Sequence, residues 1–319
     1  MQEAIGGYFE LELPHYEEYH KGALCLNSGK NCIEYILRSR NYTKAYVPYY
    51  TCDVVYKPFE KLGITIEFYH ININLEIAQD IHLKPGEALL YTNYYGLKQQ
   101  YVEKLAGQYG HNLIVDNSQA FYAKPLEGID TFYTCRKFFG VPDGAYLYTD
   151  TVLNEELEQS ISFDRFDHLL KRIDLSAGEG FEDYHKNEEM LEHQPIRKMS
   201  KLTQRMMQGI DYKTAAQQRR ANYQMLHEAL GKENNLELPL EDDAVPMVYP
   251  YLTSVEGLRE KLIENKIFVA RYWPNVLEWT QPDDFKYQLA QQMQPLPIDQ
   301  RYGEEDMQRI IDVIKLYSK

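Results

Sequence analysis

The chain has 319 residues, of which 26% are charged, and its formal net charge is −14 at pH 7. This length exceeds what one hydrophobic core usually supports, so we expect a large domain and a smaller one. The negative charge argues against a nucleic acid partner, because phosphate binding over a broad surface requires a clustered positive field.

Over the first 150 residues, short apolar runs alternate with helical patterns, which is typical of a sheet with crossover helices. The pattern predicts strands at 23–26, 45–48, 65–69, 88–92, 112–115, 131–134 and 145–148. It predicts helices at 30–40, 53–62 and 99–109, the second ending at Gly63. Strands separated by such helices predict an α/β fold with a mainly parallel sheet covered by helices on both faces.

After Asp150 the composition shifts toward Glu, Lys, Gln and His, and a long connecting helix is predicted at 212–230. Beyond it we expect strands at 244–251 and 267–271 and helices at 255–265 and 304–317. These elements predict a small α+β domain. The predicted division is a large domain of residues 1–205, whose first 20 or so residues pack on the small domain, and residues 206–319 for the connecting helix and small domain.

An aspartate and a lysine follow two successive predicted strands. Asp116 comes directly after the strand at 112–115, and Lys137 comes three residues after the strand at 131–134. Pyridoxal 5′-phosphate (PLP) needs a group that keeps its ring nitrogen protonated and a lysine that holds its aldehyde. Asp116 and Lys137 are therefore predicted to be catalytic. The apolar Phe138 and Phe139 predict a buried lysine, since burial makes an amine nucleophilic. Asp116 can also be an ordinary turn residue.

A polar turn lies between the first predicted strand and the first helix, and we expect it to bind the cofactor phosphate. The turn holds Asn27, Ser28, Gly29 and Lys30, and backbone N–H groups at a helix start form a ready anion site. A plain helix N-cap at Ser28 is compatible with this interpretation. Thr134 is predicted to donate its hydroxyl to the same phosphate, although alone it would be an ordinary strand threonine. The spacing of glycines fits neither a nucleotide P-loop nor a dinucleotide site.

Two aromatic segments, at 47–52 and 92–96, follow predicted strands and can face a flat cofactor ring. Tyr50 and Tyr94 are therefore expected beside the cofactor. A metal site and a serine hydrolase site are not predicted, because the chain lacks an H-E-x-x-H motif, paired Cys/His spacing and a G-x-S-x-G motif. No apolar run approaches the ~18 residues of a membrane span, and the four cysteines form no C-x-x-C pair, so we expect a cytoplasmic protein with no membrane partner.

In these segments the sequence resembles the DegT family of PLP-dependent sugar aminotransferases, which have the aspartate aminotransferase fold (fold type I). The matching segments are Ser28-Gly29-Lys30, the V-P-x-x-T segment at 47–52, Asp116-Asn117-Ser118-Gln119, Thr134 through Lys137 with Asp143-Gly144, the connecting-helix segment 219–223, and 295–298 before the last helix. The resemblance covers nearly the whole chain. It implies an internal aldimine on Lys137, Gln119 beside the ring oxygen, and a homodimer with sites at its interface. It also implies transfer of an amino group from a small-molecule donor such as glutamate to a keto acceptor, in particular a nucleotide-linked keto sugar.

The sequence departs from the family pattern at two positions. Cys52 stands where the family has the aromatic residue that stacks on the ring, so stacking is expected to fall to Tyr50, Tyr94 or Tyr95. Ile196 stands where the family has an asparagine that reaches the partner's cofactor phosphate.

Substrate contacts are predicted at Tyr95 and at Arg271, where the alternative is an exposed structural arginine. Two further functions stay open. One is a non-catalytic binding or regulatory protein that keeps the scaffold, and the other is a PLP enzyme of another reaction type, such as a dehydratase or racemase.

Overall fold

A computed structural model describes residues 5–318, which contain nine β-strands and eleven α-helices. The strands are β1 (Leu24–Leu26), β2 (Lys44–Pro48), β3 (Thr65–Tyr69), β4 (Glu87–Thr92), β5 (Leu113–Asp116), β6 (Asp130–Thr134), β7 (Ala145–Tyr148), β8 (Val248–Leu252) and β9 (Met293–Pro297). The helices are α1 (Gly29–Arg40), α2 (Lys57–Lys61), α3 (Gln99–Tyr109), α4 (Asp167–Asp174), α5 (Phe181–Glu192), α6 (Lys201–Gln208), α7 (Tyr212–Leu230), α8 (Leu258–Glu264), α9 (Pro274–Trp279), α10 (Phe285–Gln292) and α11 (Glu304–Tyr317).

Seven strands form one sheet in the order β1-β7-β6-β5-β4-β2-β3. The pairs β3–β2, β2–β4, β4–β5 and β5–β6 are parallel, while β7 is antiparallel to both of its neighbours. The fold is therefore α/β with a mainly parallel sheet, which confirms the predicted fold class. Because β1 runs in the same direction as β2 to β6, the carboxyl ends of six strands meet at one edge, where β7 begins.

Helices cover both faces of this sheet. Successive residues of the central strands enter two separate apolar clusters, as the two-residue period of a strand requires. Leu90 and Ile114 pack in the cluster that contains α1, whereas Leu89 and Leu113 pack in the cluster that contains α3 and α7. Every residue of β4 and β5 is buried, which is typical of strands in a parallel sheet covered on both sides.

In the C-terminal part, β8 and β9 form a two-stranded antiparallel sheet. The predicted strand at 267–271 is wrong. Residues 267–270 alternate between buried and exposed, as in a strand, but they pair with no strand of the described chain, and the Ile267 amide donates to the Leu262 carbonyl at the end of α8. The strand predicted at 244–251 begins only at Val248, and the helix predicted at 255–265 is the shorter α8.

One further element differs from its prediction. The helix predicted at 53–62 is a 3-10 turn, Asp53–Val55, followed by α2. Hydrogen bonds join the N-terminal segment to α6 and to the loop after β5, and its packing on the small domain stays a prediction. The Tyr16 amide donates to the Gln208 carbonyl, and the Tyr19 hydroxyl donates to the Tyr122 carbonyl. Among residues 5–318, no helix is long and apolar enough to cross a membrane.

Candidate functional site

The residues predicted to form the site lie at the edge where the carboxyl ends of the parallel strands meet. Asp116 is the last residue of β5, Thr134 is the last residue of β6, and Ser28 comes two residues after the end of β1. The N-terminus of α1 lies at the same edge, since α1 begins at Gly29. Open α/β sheets bind ligands at this edge, in the crevice beyond the carboxyl ends of the strands.

Ser118 forms hydrogen bonds with three residues that were predicted to contact different parts of the cofactor: Asp116, Thr134 and Lys137. The Lys137 ammonium donates a hydrogen bond to Ser118 Oγ at 3.0 Å. The Ser118 amide donates to Asp116 Oδ1 at 2.8 Å, and the Ser118 carbonyl accepts from Thr134 Oγ1 at 3.3 Å. We call Asp116, Ser118, Thr134 and Lys137 the lysine cluster. Sequence reasoning assigned no role to Ser118, because an Asp-Asn-Ser segment is common turn chemistry and carries no further signal.

Lys137 is exposed, although the sequence predicted a buried amine. The neighbouring Phe138 and Phe139 are buried, with 4% and 5% of their surface exposed. Both side chains pack in the aromatic core around Phe121, at ring-centroid distances of 5.8 and 4.9 Å. The apolar segment therefore anchors the loop while the lysine points out of it.

Asp116 and Gln119 are both buried at the edge, with 3% and 0% of their surface exposed. Gln119 Oε1 accepts from the Tyr95 amide at 2.8 Å, which orients the side-chain amide. Gln119 Nε2 is buried and has no hydrogen-bond partner among the described residues. A buried amide donor without an acceptor is costly, so this nitrogen is a natural contact for a ligand oxygen.

The start of α1 packs closely against the lysine cluster. Ser28 is the N-cap of α1, and its Oγ accepts from the Asn31 amide at 3.2 Å. A methyl group on Gly29 would lie 2.7 Å from Thr134 Cγ2, so the close approach of α1 to β6 requires glycine there. The hydrogen bonds of the described chain give the amides of Gly29 and Lys30 no acceptor. These two amides are therefore free for an anion at the helix N-terminus.

The side chains of Asn27 and Lys30 have structural partners instead of facing the site. Asn27 is fully buried, accepts from the Asn31 side chain at 2.8 Å, and donates to the Pro195 carbonyl at 3.0 Å. The Lys30 ammonium donates to the Glu192 carbonyl at the end of α5. The predicted cofactor contacts of these two side chains are therefore not supported, and only the Lys30 amide remains at the anion site.

The tyrosines that were expected to stack on the cofactor form a buried cluster behind the site. Tyr50, Tyr94 and Tyr95 have no exposed surface. The Tyr50 and Tyr95 hydroxyls pair at 2.8 Å, the Tyr94 hydroxyl donates to the Tyr50 carbonyl at 2.9 Å, and Tyr50 packs edge-on against Trp273 at 4.9 Å. We call these four residues the aromatic cluster. Their rings pack against one another, so the predicted stacking on the cofactor and the predicted substrate contact of Tyr95 are corrected to a packing role.

Cys52 is half-buried near Lys137, and its Sγ contacts Asp53 Oδ1 at 3.4 Å. Burial raises the pKa of the Cys52 thiol to about 11, while the positive charge of Lys137 acts in the opposite direction. The thiol is therefore neutral at pH 7 and behaves as a small apolar group. Arg271 is half-buried in the segment before α9, and its contact with substrate stays a prediction.

Helix α5 closes the side of the edge next to α1, and the sequence analysis did not predict it. The Asn187 side chain donates to the Pro142 carbonyl at 2.8 Å. Near its C-terminus, α5 contacts two lysines: the Glu192 carboxylate pairs with Lys57, and the Glu192 carbonyl accepts from Lys30. The apolar residues of α4 and α5 are mostly exposed, which leaves little helical periodicity to find in the sequence.

No model of a known protein family matches the chain, and no curated protein matches it. Solved structures do match it. A DegT DnrJ EryC1 StrS aminotransferase from Brucella abortus is 15% identical, with a TM-score of 0.59 over 93% of this chain and 86% of the other. NtdA from Bacillus subtilis with bound cofactor PMP is 13% identical, with a TM-score of 0.64 over 93% and 73%. The sugar aminotransferase CalS13 from Micromonospora echinospora is 11% identical, with a TM-score of 0.61 over 92% and 86%.

At these identities the likeness establishes the fold. The protein has the fold of the fold type I aminotransferases, which agrees with the sheet order and with the position of the site. Within that class, its structure is similar to those of DegT-type sugar aminotransferases over more than nine tenths of the chain.

Proposed function

We propose that the protein is a PLP-dependent aminotransferase that moves an amino group from an amino acid such as glutamate to a keto acceptor, in particular a nucleotide-linked keto sugar. The observation that carries this proposal is the lysine cluster, in which Ser118 contacts Lys137, Asp116 and Thr134 at one edge of the sheet. The bound PMP of NtdA and the sugar aminotransferase CalS13 support the cofactor and the substrate class, respectively.

The residues at the start of α1 fit the phosphate of PLP. Ser28 and the free amides of Gly29 and Lys30 would hold it, because a helix N-terminus favours an anion. The Thr134 hydroxyl, which donates to the Ser118 carbonyl in the structure, would turn to donate to the phosphate. The contact of Gly29 with Thr134, in which an added methyl group would lie 2.7 Å from Thr134 Cγ2, supports this role. It brings the helix amides and the threonine to one place.

Two buried polar side chains, Asp116 and Gln119, fit the part of the cofactor that lies away from the phosphate. The Asp116 carboxylate would hold the ring nitrogen in its protonated form, and the unpaired Gln119 Nε2 would donate to the ring oxygen. Cys52 would lie against one face of the ring as a small apolar group. Because its thiol is neutral at pH 7, it would not compete with the Lys137 amine for the aldehyde.

PLP, when bound, supplies an electron sink that makes the Cα–H bond of an attached amine labile. Lys137 would hold the cofactor aldehyde covalently before an amino donor enters. Once free, the Lys137 amine would take the proton from the donor Cα and return it at the cofactor C4′ as general base and general acid. Ser118 would keep the amine close to both positions, and Asp116 would keep the ring nitrogen charged.

We further propose that the protein works as a homodimer. Large apolar side chains are exposed along α4, α5 and their flanking loops, which is typical of a protein interface: Ile161, Phe163, Leu170, Ile173, Leu175, Phe181 and Met190. We call this surface the α4–α5 patch. Light scattering of the purified protein should report a dimer, and a Phe163→Glu/Ile173→Glu variant should be monomeric. Phe268→Glu, which changes another exposed apolar residue outside the patch, should leave the dimer intact.

A cytoplasmic location is also proposed. All four cysteines are free in the structure, and free thiols are typical of a reducing compartment.

The absorbance spectrum tests the cofactor. Purified protein supplemented with PLP should show a band near the visible edge, and borohydride reduction should fix the cofactor on Lys137, where peptide mass analysis locates it. Lys137→Ala should lose both signals. Absence of the band in the wild-type protein, or an unchanged reduced adduct in the variant, would remove the proposal.

Donor and acceptor screens separate the remaining alternatives. Glutamate should bleach the band if the protein is an aminotransferase, whereas a non-catalytic binding protein would keep the band with every amino acid tested. A panel of keto-sugar nucleotides and simple keto acids, added to the bleached protein, should restore the band with the true acceptor. A dehydratase or racemase would consume its substrate without any net loss of the band.

A further inference from the structure

We propose that Ser118 is the positioning residue of Lys137, and that its hydroxyl holds the free amine ready to take up the cofactor. This inference rests on the proposed function. Lys137 is exposed on a long flexible side chain, and its contact with Ser118 Oγ at 3.0 Å is the hydrogen bond that orients the amine.

Ser118 is itself held rigidly. It has 6% of its surface exposed, its amide is bonded to Asp116, and its carbonyl is bonded to Thr134. These bonds fix the backbone of Ser118 relative to the two residues proposed to bind the ring nitrogen and the phosphate, and burial restricts the rotamers of its hydroxyl. An amine bonded to this hydroxyl has a fixed position relative to both ends of the cofactor.

The physical consequence is a faster covalent attachment. Attachment joins Lys137 Nζ to the aldehyde carbon and releases one water, so it requires the amine to lie close to the aldehyde. A free lysine side chain populates many rotamers, and a hydrogen bond that selects one of them reduces the entropy lost in the reaction.

The hydroxyl can be removed without disturbing the other contacts of this residue. Ser118→Ala keeps the amide that binds Asp116 and the carbonyl that binds Thr134, because both belong to the backbone. Ser118→Thr keeps the hydroxyl as well. Ser160→Ala is a matched control, since Ser160 is also buried, at 3% exposure, and its hydroxyl has no partner among the described residues.

The experiment compares two cofactor forms on apoprotein. PLP becomes attached to Lys137, whereas pyridoxamine phosphate (PMP) has no aldehyde and binds only through the other contacts. Ser118→Ala should capture PLP roughly tenfold more slowly by absorbance, the effect of one hydrogen bond to a charged group. Its affinity for PMP, measured by fluorescence, should stay within about twofold of the wild-type value. Ser118→Thr should restore the capture rate, and Ser160→Ala should match the wild-type protein in both measurements.

Two results would overturn this role. One is capture of PLP by Ser118→Ala at the wild-type rate, and the other is a parallel loss of PMP binding, which would make Ser118 a structural part of the pocket. A wild-type protein that binds neither cofactor would instead overturn the proposed function.

A second measurement needs no cofactor. A small acylating reagent should modify Lys137 at least about threefold faster in Ser118→Ala apoprotein, relative to the exposed Lys232, because the amine is no longer held against Ser118 and is open to a reagent that approaches from solution. Equal rates in the two proteins would show that the contact does not orient Lys137.

Discussion

The lysine cluster and the aromatic cluster lie at the same edge of the sheet and differ in how their polar groups are used. In the lysine cluster and beside it, an exposed amine, a buried carboxylate and an unpaired amide nitrogen retain bonding capacity. In the aromatic cluster, the hydroxyls of Tyr50, Tyr94 and Tyr95 bond within the cluster, and these three tyrosines have no exposed surface. Spare bonding capacity therefore distinguishes the groups that we propose bind a ligand, whereas complete pairing is typical of groups that stabilise the fold.

Lys137→Ala should have the largest effect on function and almost no effect on the free energy of unfolding. The variant should lose covalent attachment of PLP and the proposed transamination, because both depend on the Lys137 amine. Its free energy of unfolding in urea should stay within about 0.5 kcal/mol of the wild-type value, since Lys137 is an exposed side chain. A loss of several kcal/mol would mean that the lysine cluster also supports the fold, and the comparison would fail.

Tyr95→Ala should show the opposite behaviour. Removing a fully buried aromatic side chain should lower the free energy of unfolding by about 3–5 kcal/mol. The contact of the Tyr95 amide with Gln119 belongs to the backbone and should persist, so PMP should still bind the folded fraction. Urea unfolding and PMP titration at low temperature measure the two effects.

A double-variant comparison sharpens the assignment of the hydroxyl pair. Tyr50→Phe leaves the Tyr95 hydroxyl buried without its partner, which should cost about 1–3 kcal/mol. Tyr50→Phe/Tyr95→Phe removes both hydroxyls and should be more stable than the sum of the two single variants indicates. Strict additivity would show that the two hydroxyls do not interact.

The same contrast explains which parts of the structure the sequence predicts. For the strands of the main sheet, the predicted and observed boundaries agree to within one residue. The central strands β4 and β5 are fully buried apolar runs, and the edge strand β3 shows the alternation of a strand exposed on one face. β9 was missed because Pro295 and Pro297 interrupt its sequence, and proline is tolerated only where a strand has a free edge. A two-stranded sheet provides such an edge.

The sequence predicted where the candidate site residues lie in the fold, but it predicted less well which groups their side chains contact. Asp116, Thr134 and Lys137 lie at the predicted edge because strand ends decide where they fall. Whether a side chain at that edge faces solvent or core depends on packing that no local pattern encodes. Tyr50 turned inward to bond Tyr95, and Lys137 turned outward to bond Ser118. The bonding of Ser118 to three neighbours is tertiary information that the sequence segment does not contain.

His20 is a group whose burial makes the stability of the fold depend on pH. It is buried among aromatic rings with its Nε2 on the Phe121 carbonyl at 2.8 Å, and burial lowers its pKa from 6.5 to about 3. Between these values the unfolded chain binds a proton that the folded chain does not, so stability rises with pH in this window. The contribution of His20 should be complete above pH 6.5 and should fall by about 1.4 kcal/mol for each pH unit below it.

His20→Gln is the matched variant, because it can keep a donor for the Phe121 carbonyl and does not titrate. The difference between wild-type and variant free energies of unfolding should change between pH 7 and pH 5 by roughly 2 kcal/mol. PMP affinity of the folded protein should be equal in both proteins at each pH. A constant difference in stability would show that burial does not lower the pKa of His20 in the folded state.

Gly29→Ala should produce the smallest effect and the most local one. In an ordinary helix this change stabilises by about 0.5–1 kcal/mol, but here the new methyl group would lie 2.7 Å from Thr134 Cγ2 and must displace α1 or Thr134. We expect PMP to bind roughly tenfold more weakly, the equivalent of one disturbed hydrogen bond. Thr134→Ser removes the methyl group that clashes and keeps the hydroxyl, so Gly29→Ala/Thr134→Ser should recover most of the affinity. Full affinity for PMP in Gly29→Ala alone would mean that the start of α1 does not form part of the phosphate site. Of the residues proposed to hold the phosphate, only Thr134 would then remain.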